Sequence, residues 1–83
     1  MEYNQEVREY QQYLQAVNYY QNQGLKQADE QLRIAQVSFD LGEIGYLEYI
    51  QNISAAVQTR LSYIEVLSQL NQSAIQIQFI KGE

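Results

Sequence analysis

Apolar residues recur at intervals of three and four along both halves of the chain. In the first half the recurring positions are Tyr3, Val7, Tyr10, Leu14, Leu25, Ala28, Leu32, Ala35 and Phe39. This spacing is typical of a helix that buries one face, and it predicts a first helix over about residues 3–40. The same spacing continues after the middle of the chain and predicts a second helix over about residues 46–80.

Two glycines separate the helical patterns. Gly42 is placed to end the first helix in the left-handed conformation, and Gly45 is placed to cap the start of the second. Glu48 suits the positive end of the helix dipole and can hydrogen-bond back to the Gly45 amide. We therefore predict an all-α fold, a coiled-coil-like antiparallel hairpin that turns at residues 41–45 and occupies residues 1–83 as one unit.

Gly24 lies inside the first predicted helix, within the eleven-residue step from Leu14 to Leu25. Such a step reduces left-handed supercoiling locally, and a glycine inside a helix costs about 1 kcal/mol relative to alanine. We predict that the helix continues through Gly24. The alternative is a break at residues 22–24.

The second predicted helix carries two apolar stripes. The Leu61 stripe consists of Leu47, Ile50, Ser54, Val57, Leu61, Ile64, Ser68, Asn71 and Ile75. The Ala56 stripe consists of Tyr46, Tyr49, Ile53, Ala56, Arg60, Tyr63, Leu67, Leu70, Ala74 and Ile77. One helix–helix seam needs only one stripe, so the pattern predicts further helical neighbours, in a four-helix bundle or a helical-barrel wall. We expect the Ala56 stripe to be the exposed one in a monomer and to drive dimerisation.

The amino-acid composition excludes several kinds of functional site and partner. The chain has no cysteine and no histidine, which excludes disulfides, Cys/His zinc sites and Cys- or His-based catalytic dyads. Five basic residues against ten acidic ones argue against nucleic acid or an anionic membrane as a partner. We expect no enzyme activity, no cofactor and no metal site. The polar N-terminus resembles no signal peptide, which fits a cytosolic protein or a piece from inside an exported one.

Acidic residues surround the predicted turn. Asp40, Glu43 and Glu48 are close in sequence, and three interpretations stay open. They are an acidic ring at the tip of an assembled pore, a weak carboxylate cation site, or ordinary solvated charges at a turn.

The segment around the turn resembles the repeat signature of the TolC-like outer-membrane efflux proteins. The matching residues are Ala35, Phe39, Gly42, Gly45, Leu47, Ile50, Ala56, Tyr63, Leu70, Asn71, Ala74 and Gly82, with Asn18, Tyr19, Tyr20, Leu25, Lys26, Gln27 and Ala28 upstream. The run from Gly42 to Tyr49 is most similar to the TolC-like segment carried at the C-terminus of some heavy-metal efflux pumps of the resistance-nodulation-division type.

The resemblance implies a helical hairpin in the periplasmic part of a trimeric outer-membrane duct. Its turn would meet a periplasmic adaptor protein and serve an inner-membrane pump of that type in cation efflux. Leu41, Gly42 and Glu43 would form the adaptor-docking tip, and Asp40 and Glu43 would lie near the aperture. The drug-efflux branch often has a hydroxyl and a basic residue where this chain has Glu43 and Ile44, so that branch's gate contacts are not carried over.

The resemblance also implies that the chain is a fragment of a larger protein, because it covers one hairpin and no outer-membrane barrel strands. The competing hypothesis is a stand-alone helical hairpin that acts as a protein–protein interaction module.

Overall fold

The protein is a long helical hairpin. A computed structural model describes residues 2–82. The first arm comprises α1 (Glu2–Tyr19), a π-helical segment (Tyr20–Gly24) and α2 (Leu25–Asp40), and the second arm is α3 (Tyr46–Gly82). The structure is 94% helical, and the described residues contain no strand. The predicted all-α hairpin is confirmed, and the residues between the arms are 41–45, as expected.

Small side chains form the centre of the seam between the arms. Val17, Ala28, Ala35 and Ala56 are each at most 4% exposed, and Ala56 is completely buried. The distance between packed helices depends on the side chains at the contact, so alanines on both arms let the backbones come close. The result is a narrow seam in an elongated molecule of 60 × 19 × 16 Å.

The first arm has π rather than α geometry from Tyr20 to Gly24. The Leu25 amide donates to the Tyr20 carbonyl, and the residues on either side of the segment keep right-handed helical angles. A π turn holds one residue more than an α turn, so the segment rotates one end of the arm relative to the other. Val17 before it and Ala28 after it are both buried. The first arm is therefore continuous, as predicted, although the sequence pattern did not indicate the π turn.

The prediction that the Ala56 stripe is the exposed one is wrong. Five of its large members are half-buried and Ala56 is buried, whereas Tyr46 at its start is exposed. The half-buried five are Tyr49, Ile53, Tyr63, Leu67 and Leu70. The Leu61 stripe is the open one, with five large aliphatic side chains between 45% and 71% exposed. These five are Leu47, Val57, Leu61, Ile64 and Ile75.

Aromatic contacts across the seam explain the choice of stripe. The Tyr49 ring stacks on Phe39 with centroids 4.6 Å apart, and the Tyr63 ring meets the edge of Tyr20 at 6.0 Å. Such pairs contribute about 0.5–1.5 kcal/mol beyond their buried area. Both tyrosines belong to the Ala56 stripe, so that stripe turns toward the first arm.

Polar contacts cross the seam on both sides. On one side Asp29 of α2 forms an ion pair with Arg60 of α3, and on the other the Gln31 amide donates to Asn52 Oδ1 at 3.1 Å. A surface ion pair within α2 forms between Glu30 and Arg33. The hydrogen bonds and charge of Arg33 hold the pKa of the Glu30 carboxyl below its ordinary value.

Candidate docking tip

The turn closes α2 with a Schellman motif. Gly42 has φ +77°, its amide donates to the Phe39 carbonyl at 3.0 Å, and the Glu43 amide donates to the Ser38 carbonyl at 2.8 Å. These are the two hydrogen bonds that define the motif. Gly42 therefore takes the left-handed conformation that the sequence predicts.

The start of α3 confirms the predicted N-cap but not the predicted hydrogen bond of Glu48. The Tyr49 amide donates to the Gly45 carbonyl at 3.0 Å, which places Gly45 at the N-cap. Glu48 lies in the first turn of α3, where its charge favours the positive end of the helix dipole. Within residues 2–82, however, the Glu48 carboxylate accepts no hydrogen bond from the Gly45 amide. That part of the prediction is wrong: with glycine at the N-cap, no cap side chain bonds the Glu48 amide to complete the reciprocal pair.

Apolar side chains project from the tip. Leu41 is 68% exposed and Tyr46 69% exposed, and Leu47, the first member of the Leu61 stripe, is also exposed. The Phe39 ring packs against Tyr46, with centroids 6.3 Å apart. Sequence reasoning placed Leu41 at the tip and missed Tyr46 and Leu47. The signal that could have identified them is two large apolar residues directly after the second glycine.

The acidic residues of the tip all face solvent. Asp40, Glu43 and Glu48 are exposed, and none forms an ion pair within residues 2–82. No three acidic side chains in this part of the chain come together to hold a metal ion. The cation-site interpretation is therefore unsupported. Asp40 and Glu43 add exposed negative charge at the turn, and Glu48 lines the groove beside it.

A groove of about 540 Å³ lies beside the tip. Ile34, Ala35 and Ile44 contribute its apolar side chains, and Asn52 of α3 closes one edge. At 100° per residue around an α-helix, Asn52 lies on the opposite side of α3 from the Leu61 stripe. Apolar surface is thus exposed on both flanks of the hairpin.

The conformation of Gly42 makes a stability prediction. We expect Gly42→Val to lower the free energy of unfolding by about 1–2 kcal/mol, because a Cβ is strained at positive φ. Gly42→Asn should lower it by less, since asparagine tolerates this conformation better than β-branched residues. Apart from the adjacent residues of the chain, no atom lies within 4 Å of an added Cβ, so crowding by other side chains does not contribute. Thermal melts followed by circular dichroism measure both variants, and equal losses for the two would contradict the assignment.

None of the helices in the described part of the chain is both long and apolar enough to span a bilayer.

No protein-family model, curated protein or solved structure matches the chain. The resemblance to the TolC-like proteins therefore rests on the residues of the motif.

Proposed function

We propose that the chain is the periplasmic helical hairpin of a TolC-like outer-membrane efflux duct, in which it forms part of the wall and carries the adaptor-docking tip. The observation that carries this proposal is a hairpin with apolar surface on both flanks and an exposed glycine turn at its end. Its partners would be neighbouring hairpins of a trimeric duct, a periplasmic adaptor protein and an inner-membrane pump that exports heavy-metal cations.

The exposed apolar side chains on both flanks support the proposed role in a helical wall. A helical wall requires each hairpin to contact a neighbour on either side. The Leu61 stripe leaves five large aliphatic side chains open on one flank, and the groove with Ile34 and Ile44 opens on the other. Contiguous exposed apolar surface of this kind marks interaction sites in soluble proteins. One flank of each hairpin would contact the opposite flank of its neighbour, which is a heterologous interface. Repeated heterologous contacts close into a ring when the rotation between neighbours allows it.

The exposed side chains at the turn support the proposed docking of an adaptor protein. Leu41 and Tyr46 are exposed apolar side chains at the turn, and the exposed acids Asp40 and Glu43 are close to them in the chain. Apolar side chains bordered by polar ones are the usual arrangement of a protein interface. The two carboxylates favour an adaptor surface that carries basic side chains, since complementary charge speeds encounter and excludes wrong partners.

Charge reversal at Glu43 tests the proposal. In the cells that produce the protein, we expect Glu43→Lys to weaken adaptor binding by at least about tenfold, equivalent to about 1.4 kcal/mol. Tolerance of the host to the exported cations should fall with it. The melting temperature of the hairpin should not change, because Glu43 is exposed and forms no side-chain contact that the fold requires.

Gln58→Lys is the matched control, since it adds a positive charge at an exposed position of α3 far from the turn. It should leave adaptor binding and tolerance at the wild-type level. If Glu43→Lys behaves like Gln58→Lys, the turn is not a docking tip, and the stand-alone interaction module becomes the better hypothesis. That module would act through its flanks and assign no role to Glu43.

A further inference from the structure

The Leu61 stripe has a symmetry that the wall does not require. Leu47 and Ile75 lie fourteen residues before and after Leu61, and Ser54 and Ser68 lie seven residues before and after it. Val57 and Ile64 lie four before and three after. The order of large and small residues is therefore almost the same in both directions from Leu61.

We propose that two copies of the chain pair through this stripe, with the two α3 helices antiparallel and Leu61 on the two-fold axis. The product is a four-helix dimer. A two-fold interface places the same surface patch of each copy against the other, so the patch must be complementary to itself. A stripe that reads alike in both directions meets this condition when the helices run in opposite directions.

The proposed register matches large with large and small with small. Leu61 meets its own equivalent and Leu47 meets Ile75 of the second copy, and Val57 lies within one residue of the level of Ile64 of the second copy. The two serines face each other on either side of the axis, where their small size lets the helices approach. The mismatch is Ile50 opposite Asn71, and it lies toward the ends of the contact, where the exposed Asn71 amide can stay in water.

The available area is sufficient for a dimer. The five open aliphatic side chains are each about half to two-thirds exposed. Two copies of them would bury on the order of 1,000 Å² of apolar surface, which is the lower limit for a specific interface. The contact would run for about 42 Å along α3, at ~1.5 Å per residue.

Charge favours the antiparallel direction. The Leu61 stripe itself contains no ionisable residue, and Glu65, one turn after Leu61, is exposed at its edge in either direction. A parallel pair would bring both copies of Asp40, Glu43 and Glu48 together at one end, whereas an antiparallel pair places the two acidic tips at opposite ends. The antiparallel pair also opposes the two α3 dipoles. The inference concerns the free chain and does not depend on the proposed function.

Cysteine cross-linking tests the direction and the register. The chain has no native cysteine, so each introduced thiol reports one position. With a bis-maleimide that spans two packed helices, about 8–10 Å apart, we expect Leu61→Cys to cross-link efficiently to its own equivalent. Leu47→Cys should not, since its equivalent lies about 42 Å away at ~1.5 Å per residue. The double variant Leu47→Cys/Ile75→Cys should cross-link again. Cross-linking of Leu47→Cys to itself would establish a parallel pair and overturn the proposal.

Sedimentation tests whether the Leu61 stripe is the dimer interface. At high micromolar concentration the wild-type chain should sediment as a dimer, and Leu61→Glu should sediment as a monomer because it places two like charges on the axis. Leu61 is exposed within one hairpin, so circular dichroism should show the variant still helical. Gln51→Glu adds the same charge on the polar face of α3 and should remain a dimer. A monomeric wild-type chain, or a dimeric Leu61→Glu variant, would overturn the proposal.

Discussion

Ala56→Leu should lower the free energy of unfolding by about 2–3 kcal/mol, because it inserts a large side chain into the packed seam between the two arms. Ala56 is completely buried. It lies between the two cross-seam contacts, Asp29 with Arg60 and Gln31 with Asn52, so the arms cannot separate locally without breaking one of them. For a domain of this size the loss corresponds to about 10–20 °C in melting temperature.

Ala55→Leu is the control for this prediction. Ala55 is the preceding residue of the same helix, and it is exposed. Leucine and alanine have similar helix propensities, so this variant should stay within about 0.5 kcal/mol of the wild type. Chemical denaturation of both proteins gives the comparison. Similar losses for the two variants would mean that the arms do not pack through Ala56.

Gly24→Ala should destabilise the hairpin by about 1–2 kcal/mol through overpacking, although the same change inside an ordinary helix stabilises by about 1 kcal/mol. A Cβ at Gly24 would lie 2.8 Å from Tyr20 Cδ1 and 3.3 Å from Tyr19 Cε2. The Tyr20 ring cannot easily move away, because it packs edge-on against Tyr19 and Tyr63. A loss of stability in Gly24→Ala is therefore expected for the crowded π turn, whereas a regular α-helix would gain stability.

Asn22→Ala provides the comparison, since Asn22 is exposed within the same π-helical segment. It should stabilise the protein by a few tenths of a kcal/mol through helix propensity. Equilibrium unfolding of the two variants measures both signs. A stabilised Gly24→Ala variant would show that the tyrosines are not packed over Gly24 as described.

The helices and the turn follow from local features of the sequence. The three- and four-residue spacing of apolar positions predicts both arms, and Gly42 predicts the left-handed end of α2. Both features act within one helix or one turn, so no knowledge of the other arm is needed. The position of Leu41, Gly42 and Glu43 in the turn follows from the same glycine, whereas their docking role is only what the resemblance implies.

The packing of the arms does not follow from local features. Both stripes of α3 have helical spacing and apolar residues, so the spacing cannot say which one faces the first arm. The contacts of Tyr49 with Phe39 and of Tyr63 with Tyr20 decide it, and the second of these joins residues far apart in the sequence. The π turn was missed for a related reason. Gly24 marked the place, but the crowding by Tyr19 and Tyr20 is visible only in three dimensions.

The exposure of the Leu61 stripe connects the fold to both proposals. A hairpin that used the Leu61 stripe for its own seam would leave the tyrosines outside. Because the tyrosines pack inward, the exposed flank is aliphatic and nearly symmetric about Leu61. The same flank can contact a neighbouring hairpin in a wall or a second copy in solution, whereas the turn residues Leu41, Gly42 and Glu43 remain free in either arrangement.

Site-specific photo-cross-linking from the tip tests the docking proposal most directly. A photoreactive amino acid is placed at Glu43 in the protein as its own host produces it, with the same amino acid at Gln58 as the control. Illumination at Glu43 should yield a covalent product with a periplasmic adaptor protein, and illumination at Gln58 should yield none. If Glu43 gives no adaptor product, or if both positions give the same one, the turn is not the docking tip of an efflux duct.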